Sequence, residues 1–174
     1  GRPLLGVKTG CNEAFVVRVS KQNESERLTE IESGEHSGLV ESALLRPLYR
    51  GETIRPWKLQ SPPEHVVWTH DERGALPQLE PNARRWLGRW RRELERRSDF
   101  SSHAHGRWWT LFRTESAASS SPRVVWSDFG RSPRAAVLDA NDTSVFLNSC
   151  YVVPCEALAD AYALVALLNS PVAA

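Results

Sequence analysis

Five consecutive residues near the start, Lys8-Thr9-Gly10-Cys11-Asn12, put a cation, a hydroxyl, a glycine and a carboxamide within one loop. Gly6 stands just before them, and the run Glu13-Ala14-Phe15-Val16-Val17 follows. Glycine lets peptide N–H groups come close to a ligand. With Lys8, Thr9 and Asn12 beside it, such a loop suits a phosphate or a base edge. A tight turn ahead of a strand has the same composition, so the loop alone leaves both readings open.

Other constellations carry less chemistry. Asp128-Phe129-Gly130 imitates the metal-binding triplet of kinases, but no catalytic-loop partner and no glycine-rich loop with a strand lysine accompany it. It reads as a turn after a strand. His103 and His105 lie two apart in a polar loop with no cysteine or carboxylate pair to complete a zinc set. Cys150 and Cys155 flank a strand end, and two thiols alone do not make a metal site. Three cysteines in all is an odd count for a disulfide framework, so reduced thiols and a cytoplasmic location are expected.

The elements that must position these residues follow from periodicity. Glu13 to Val19 reads as a strand, and Leu28 to Ile31 as a short one. Lys21 to Glu26 reads as a polar turn, 33–38 as a loop, Leu39 to Leu45 as a short helix and Pro56 to Pro63 as loop. Glu64 to Thr69 reads as a strand, apolar at Val66, Val67 and Trp68. Pro81 opens the clearest helix: Ala83, Trp86, Leu87, Trp90 and Leu94 fall on one face. The basic stripe Arg85, Arg89, Arg92, Arg96 lies on the other, as a solvated face or a phosphate-contacting one. Asp99 to Gly106 is read as loop and Trp108 to Phe112 as a possible strand, which would bury one of Trp108 and Trp109 and leave the other free. Glu115 to Pro122 reads as a mobile loop. Strands are expected at Arg123 to Trp126, Ala135 to Leu138, and Val145 to Val153 with a break near Asn148. A final helix is expected over Glu156 to Leu168, with most of its surface covered because it holds so little charge. The fold class is α+β: a twisted, mainly antiparallel β-sheet core with a few packed helices.

At 174 residues the chain is read as one domain, 1–174, large enough for a core. Its 41% apolar and 25% charged residues describe a globular protein. No apolar run is long enough to span a membrane, and no signal peptide is visible. Net charge is only +1, but it is unevenly spread. Arg84 to Arg97 holds seven arginines against two glutamates, and acids gather in Glu24 to Glu41. Arginine supplies nineteen of the twenty-two cations, as phosphate and guanine contacts favour, or as a compositional bias would also give.

An ordered series of segments adds a resemblance. Arg50-Gly51-Glu52-Thr53-Ile54-Arg55-Pro56-Trp57 matches the form R-G-(R/E/K)-(D/T)-I-x-x-(W/Y). Val66-Val67-Trp68-Thr69-His70 follows as a strand, and Pro81-Asn82-Ala83 opens a helix running to Arg97. Trp108-Trp109-Thr110-Leu111, Arg123 to Asp128, Asn148-Ser149-Cys150-Tyr151-Val152-Val153 and Leu164 to Ser170 complete the series. In that order the segments resemble the target recognition (specificity) domain of N6-adenine DNA methyltransferases and type IIG restriction–modification enzymes, over nearly the whole chain.

The resemblance implies a sequence-specific DNA recognition module, part of an S-adenosylmethionine-dependent enzyme. The Asn/Asp-Pro-Pro-aromatic loop that holds the target adenine is missing: the only Pro-Pro pair is Pro62-Pro63, preceded by Ser61. The cofactor's glycine-rich loop is missing too, and no lysine has the acidic residue two before it that a common nuclease core needs. The module is therefore expected to lack catalysis and to need no cofactor or metal of its own. Its partners would be double-stranded DNA and a methyltransferase domain N-terminal to it. Lys8, Thr9, Gly10, Asn12, Arg50, Gly51, Arg55, Arg107, Trp108 and Arg131 are the expected DNA-binding residues. Two other classes stay open: a protein-interaction domain in a phage-defence complex, and a self-sufficient enzyme.

Overall fold

The computed structural model describes residues 2–21, 27–60, 64–99, 107–130 and 133–171. The protein is α+β, about 26% helix and 37% strand, with mostly antiparallel sheets that do not close into a barrel. No helix among the described residues is long and apolar enough to cross a membrane. The residues gather into two compact units, each assembled from discontinuous segments. Unit 1 is Gly1–Lys8, Leu48–Pro62 and Arg113–Ala174; unit 2 is Thr9–Pro47 and Pro63–Phe112.

Unit 2 centres on the strands β2 (Val16–Lys21), β3 (Leu28–Ser33), β4 (His36–Glu41) and β8 (Glu64–Val67), in the order β8-β2-β3-β4. Every pairing among them is antiparallel. The strand expected from Glu13 starts later. Asn12–Phe15 forms one helical turn, α1, which places Ala14 and Phe15 in the core ahead of Val16 and Val17. Four buried residues in a row defeat an alternation rule. The helix expected over Leu39–Leu45 is absent as well. Gly34, at φ +56, turns β3 into β4, and six residue pairs from Leu28↔Glu41 to Ser33↔His36 zip the hairpin. A 3-10 turn at Ser42–Leu44 then leads into β5 (Leu45–Tyr49), along which the chain passes from one unit to the other. Local helix preference loses here to cross-strand pairing.

The long helix is present, in two pieces: α2 (Pro81–Gly88) and α3 (Arg91–Glu95). Ala83, Trp86, Leu87, Trp90 and Leu94 are all buried, as the spacing requires. Glu41 of β4 holds the start of α2. Its carboxylate accepts the Asn82 and Ala83 backbone N–H groups and the Asn82 amide, all at 2.9 Å. Burial alone would raise its pKa; these bonds to the charged form outweigh that and lower it. Trp86 donates through Nε1 to the Ala14 carbonyl at 2.8 Å. It also covers Gly38, where a Cβ would lie 3.0 Å from the indole.

The hairpin β9 (His70–Asp71) and β10 (Gly74–Ala75) closes this unit. His70 is buried, and burial pushes it down to about 4. A base whose folded pKa lies below its unfolded value leaves the folded state neutral while the unfolded chain takes the proton. Stability is then full above pH ~6.5 and falls towards pH ~4. Urea denaturation across that window should show the fall, and His70→Gln should flatten it. An equal slope in both proteins would remove His70 as the cause.

Unit 1 is built on β1 (Leu4–Leu5), β11 (Arg123–Ser127), β12 (Ala135–Leu138) and β14 (Cys150–Pro154), in the antiparallel order β1-β14-β11-β12. Its strands are apolar on both faces because both are covered. Val125, Ala136 and Val152 meet Ile54 and Phe146 on one side. Val124 and Ala135 meet Ala161 and Val165 of α4 (Leu158–Leu168) on the other. The short β13 (Val145–Phe146) runs parallel to Leu48–Tyr49, and β6 (Ile54–Arg55) and β7 (Lys58–Leu59) form a two-residue-turn hairpin. The three expected strands and the break near Asn148 are present. Two expectations change. Thr114–Ala117 is a 3-10 turn with Ser116 and Ala117 buried, where a mobile loop was expected. On α4 only Ala161 and Val165 are buried, while Leu158, Tyr162 and Leu167 are exposed, so the helix is not covered all round.

Candidate nucleic-acid interface

The loop Lys8-Thr9-Gly10-Cys11-Asn12 is closed by its own side chains. Thr9 donates through Oγ1 to Asn12 Oδ1 at 2.6 Å and accepts the Cys11 backbone N–H at 3.2 Å. Thr9 is buried, and Gly10 sits at φ +68. Both lie against Arg97, whose Cδ would be 2.6 Å from a Cβ at Gly10. Gly6, in unit 1, lies on the backbone of Leu147, 2.1 Å from where its own Cβ would be. Both glycines are crowded on the side where a Cβ would stand.

Arg97 is the residue around which this part of unit 2 closes. It is 9% exposed. Its guanidinium donates to four backbone carbonyls: Leu94 at 2.9 Å, Thr9 at 2.6 Å, Thr110 at 2.8 Å and Trp108 at 2.8 Å. The Phe112 ring lies 4.8 Å from the guanidinium carbon and the Phe15 ring 5.7 Å. Burial pulls its pKa down to about 10, so it stays charged at neutral pH. The sequence held a signal for it. Leu87, Trp90 and Leu94 continue at the same spacing to Arg97, on the buried face and not with the basic stripe.

Trp108 is buried, against the expectation of a ring open to ligand, and the segment Trp108 to Phe112 is not a strand. Trp109 is half-buried, donates through Nε1 to the Leu76 carbonyl at 3.0 Å and packs edge-on against Trp108. Arg107 donates to the Ala75 carbonyl. Arg107, an expected DNA-binding residue, and Trp109 thus brace the β9–β10 hairpin. A run of exposed cations in unit 2 lies elsewhere: Arg84, Arg85, Arg89, Arg91, Arg92 and Arg96 all face solvent on the α2–α3 segment.

In unit 1, Arg50, Gly51 and Arg55 form one turn. The Arg50 N–H and carbonyl both bond to Thr53 Oγ1, at 3.2 and 2.8 Å. Gly51 donates its N–H to Ser149 Oγ at 3.1 Å, and a Cβ there would lie 2.6 Å from Ser127 Oγ. Arg55 folds back on the Glu52 and Ile54 carbonyls at 2.6 and 3.2 Å. Lys8 also belongs to this unit, so the expected set divides: Thr9, Gly10, Asn12, Arg107 and Trp108 in unit 2, and Lys8, Arg50, Gly51 and Arg55 in unit 1. Arg131, the Pro62-Pro63 pair and residues 100–106 of the expected Asp99–Gly106 loop, His103 and His105 among them, lie outside the described residues.

Cys11, Cys150 and Cys155 are free, and burial raises each, Cys150 to about 12. The α+β class is as far as the fold identifies the protein. The sequence matches no protein-family model and no curated protein.

Proposed function

We propose that this chain is a double-stranded DNA recognition module of an adenine-N6 DNA methyltransferase or restriction–modification enzyme, without catalysis of its own. The observation that carries the reading is the solvent face of α2–α3. Six exposed arginines there stand against Glu93 and Glu95, an excess of four positive charges. Arg91 pairs with Glu95 at 2.8 Å, and Arg89 reaches the Ser37 carbonyl at 3.0 Å. A row of one sign repels itself, and a polyanion relieves it by releasing its counterions. The sequence resemblance supplies the rest of the reading: Lys8, Arg50 and Arg55 grip phosphates, and loop side chains read base edges. Methyl transfer from S-adenosylmethionine belongs to a separate methyltransferase domain, and the cytoplasm is where both would work. The protein-interaction reading, a domain of a phage-defence complex, is favoured by the exposed Leu158, Tyr162 and Leu167 of α4.

Fluorescence anisotropy with a labelled duplex, titrated at several salt concentrations, tests the proposal. Dissociation constants near 10⁻⁴ to 10⁻⁶ M are expected at physiological salt, on the order of non-specific protein–DNA binding. Four phosphate contacts would give a log–log slope of roughly −3.6. Lys8→Ala should flatten it by about one unit, and Arg85→Ala with Arg92→Ala by about two. Binding that ignores salt, or slopes unchanged in both variants, would sink the DNA reading in favour of a protein partner.

A further inference from the structure

Two aromatic side chains at one end of the unit 1 sheet are not used by its core. Trp57 is 55% exposed and Phe129 is 71% exposed. Hydrogen bonds bring their backbones to the same end. The Trp57 N–H donates to the Ala135 carbonyl at 2.8 Å, and Ala135 faces Trp126 in the β11–β12 ladder. Phe129 follows Trp126 by three residues, in a turn closed by Ser127. The Ser127 hydroxyl accepts the Phe129 N–H at 3.2 Å and donates to the Phe129 carbonyl at 2.8 Å. Ser149 ties in the Arg50–Thr53 turn: its carbonyl accepts the Asp128 N–H at 2.9 Å and its hydroxyl the Gly51 N–H at 3.1 Å.

The fold does not ask for an indole at 57. Pro56 fixes the first corner of the β6–β7 turn, and the second corner, Trp57, sits at φ +70. That is a position glycine or asparagine fills. A bulky side chain there is strained, and such strain gathers at functional sites. Phe129 is equally spare, because the Ser127 hydroxyl makes its turn. Cations stand close to the pair along the chain: Arg55 and Lys58 flank the Pro56–Trp57 corner, Arg50 opens the neighbouring turn and Arg134 precedes Ala135. Glu52 and Asp128 oppose them, leaving four cations against two carboxylates.

We propose that this tip binds unpaired DNA bases, with Trp57 and Phe129 stacking on base faces while Arg55, Lys58 and Arg134 meet the adjoining phosphates. Exposed rings with cations beside them are how proteins hold single strands, since every base has a face to stack and a duplex hides it. The proposal rests on the DNA reading above and adds that the module engages locally opened DNA.

Anisotropy of the full chain on an intact duplex, the same duplex with a central unpaired bubble, and the single strand tests it. The bubble should bind about tenfold tighter than the intact duplex, from stacking of one or two bases. Trp57→Gly, which suits the left-handed corner, and Phe129→Ala should each remove most of that preference and leave intact-duplex binding unchanged. Trp57→Phe should keep it. Equal affinity for bubble and duplex, or a preference surviving the Trp57→Gly/Phe129→Ala double variant, overturns the proposal while salt-dependent duplex binding still stands. No binding to any of the three DNAs overturns both.

Discussion

Arg97→Ala is expected to bring the protein close to unfolding. The substitution strips donors from the Leu94, Thr9, Thr110 and Trp108 carbonyls, all near a side chain only 9% exposed. Each buried acceptor left unsatisfied costs about 1–3 kcal/mol, and water entering the space recovers part of that. A net loss of about 4 kcal/mol or more is a large share of the 5–15 kcal/mol typical of a whole domain. Arg97→Lys keeps the charge and most of the stem, but an ammonium cannot present a planar fork to four oxygens. It should lose about 2–3 kcal/mol. Urea denaturation followed by tryptophan fluorescence reads both. A loss below about 1 kcal/mol in Arg97→Ala would show that the four carbonyls find other donors.

Gly6→Ala should be the costliest single methyl in unit 1. Its Cβ would lie 2.1 Å from the Leu147 carbonyl oxygen and 2.5 Å from that of Phe146. Both obstacles are backbone, and both belong to the segment that holds this strand. Gly6 donates to the Cys150 carbonyl at 2.9 Å, and Val7 to that of Phe146 at 2.7 Å. Relief therefore has to break pairing, not rotate a side chain. Overpacking of this kind costs about 3 kcal/mol, which in a chain of this size lowers Tm by about 10 °C. Gly88→Ala is the control. Nothing lies within 4 Å of its Cβ position, and in α2 alanine should stabilise by up to about 1 kcal/mol. Equal melting of Gly6→Ala and wild type would mean that the Leu147 segment gives way freely.

Several residues that carry the family resemblance are joints of unit 1. Gly51 is a glycine because Ser127 and Ser149 crowd it. Ser149 receives the Gly51 and Asp128 N–H groups. Asn169, in the closing Leu-Asn-Ser, pairs its carboxamide with Ala135, accepting the N–H at 2.9 Å and donating to the carbonyl at 3.0 Å. Ala135 also receives Trp57, so these joints hold the tip in place. The motif residues set where the exposed side chains of the tip stand.

The sequence by itself determined the elements whose neighbours in the chain are also their neighbours in space. The apolar spacing of α2–α3 and the runs that became β11, β12 and β14 were legible because periodicity is a local property. The fold class followed from their order. Only the tertiary structure decided which arginines serve the core and which face solvent. Arg97 and Arg96 are adjacent and of one type, yet the first is buried against Thr9, 88 residues away in sequence, and the second is exposed. The same holds for the tryptophans: Trp86 is sealed beneath Gly38, while Trp57 stands out at a turn whose shape depends on Ala135. Composition counts such residues alike. The carbonyls and ladders that separate them come from distant segments, and only folding brings those segments together.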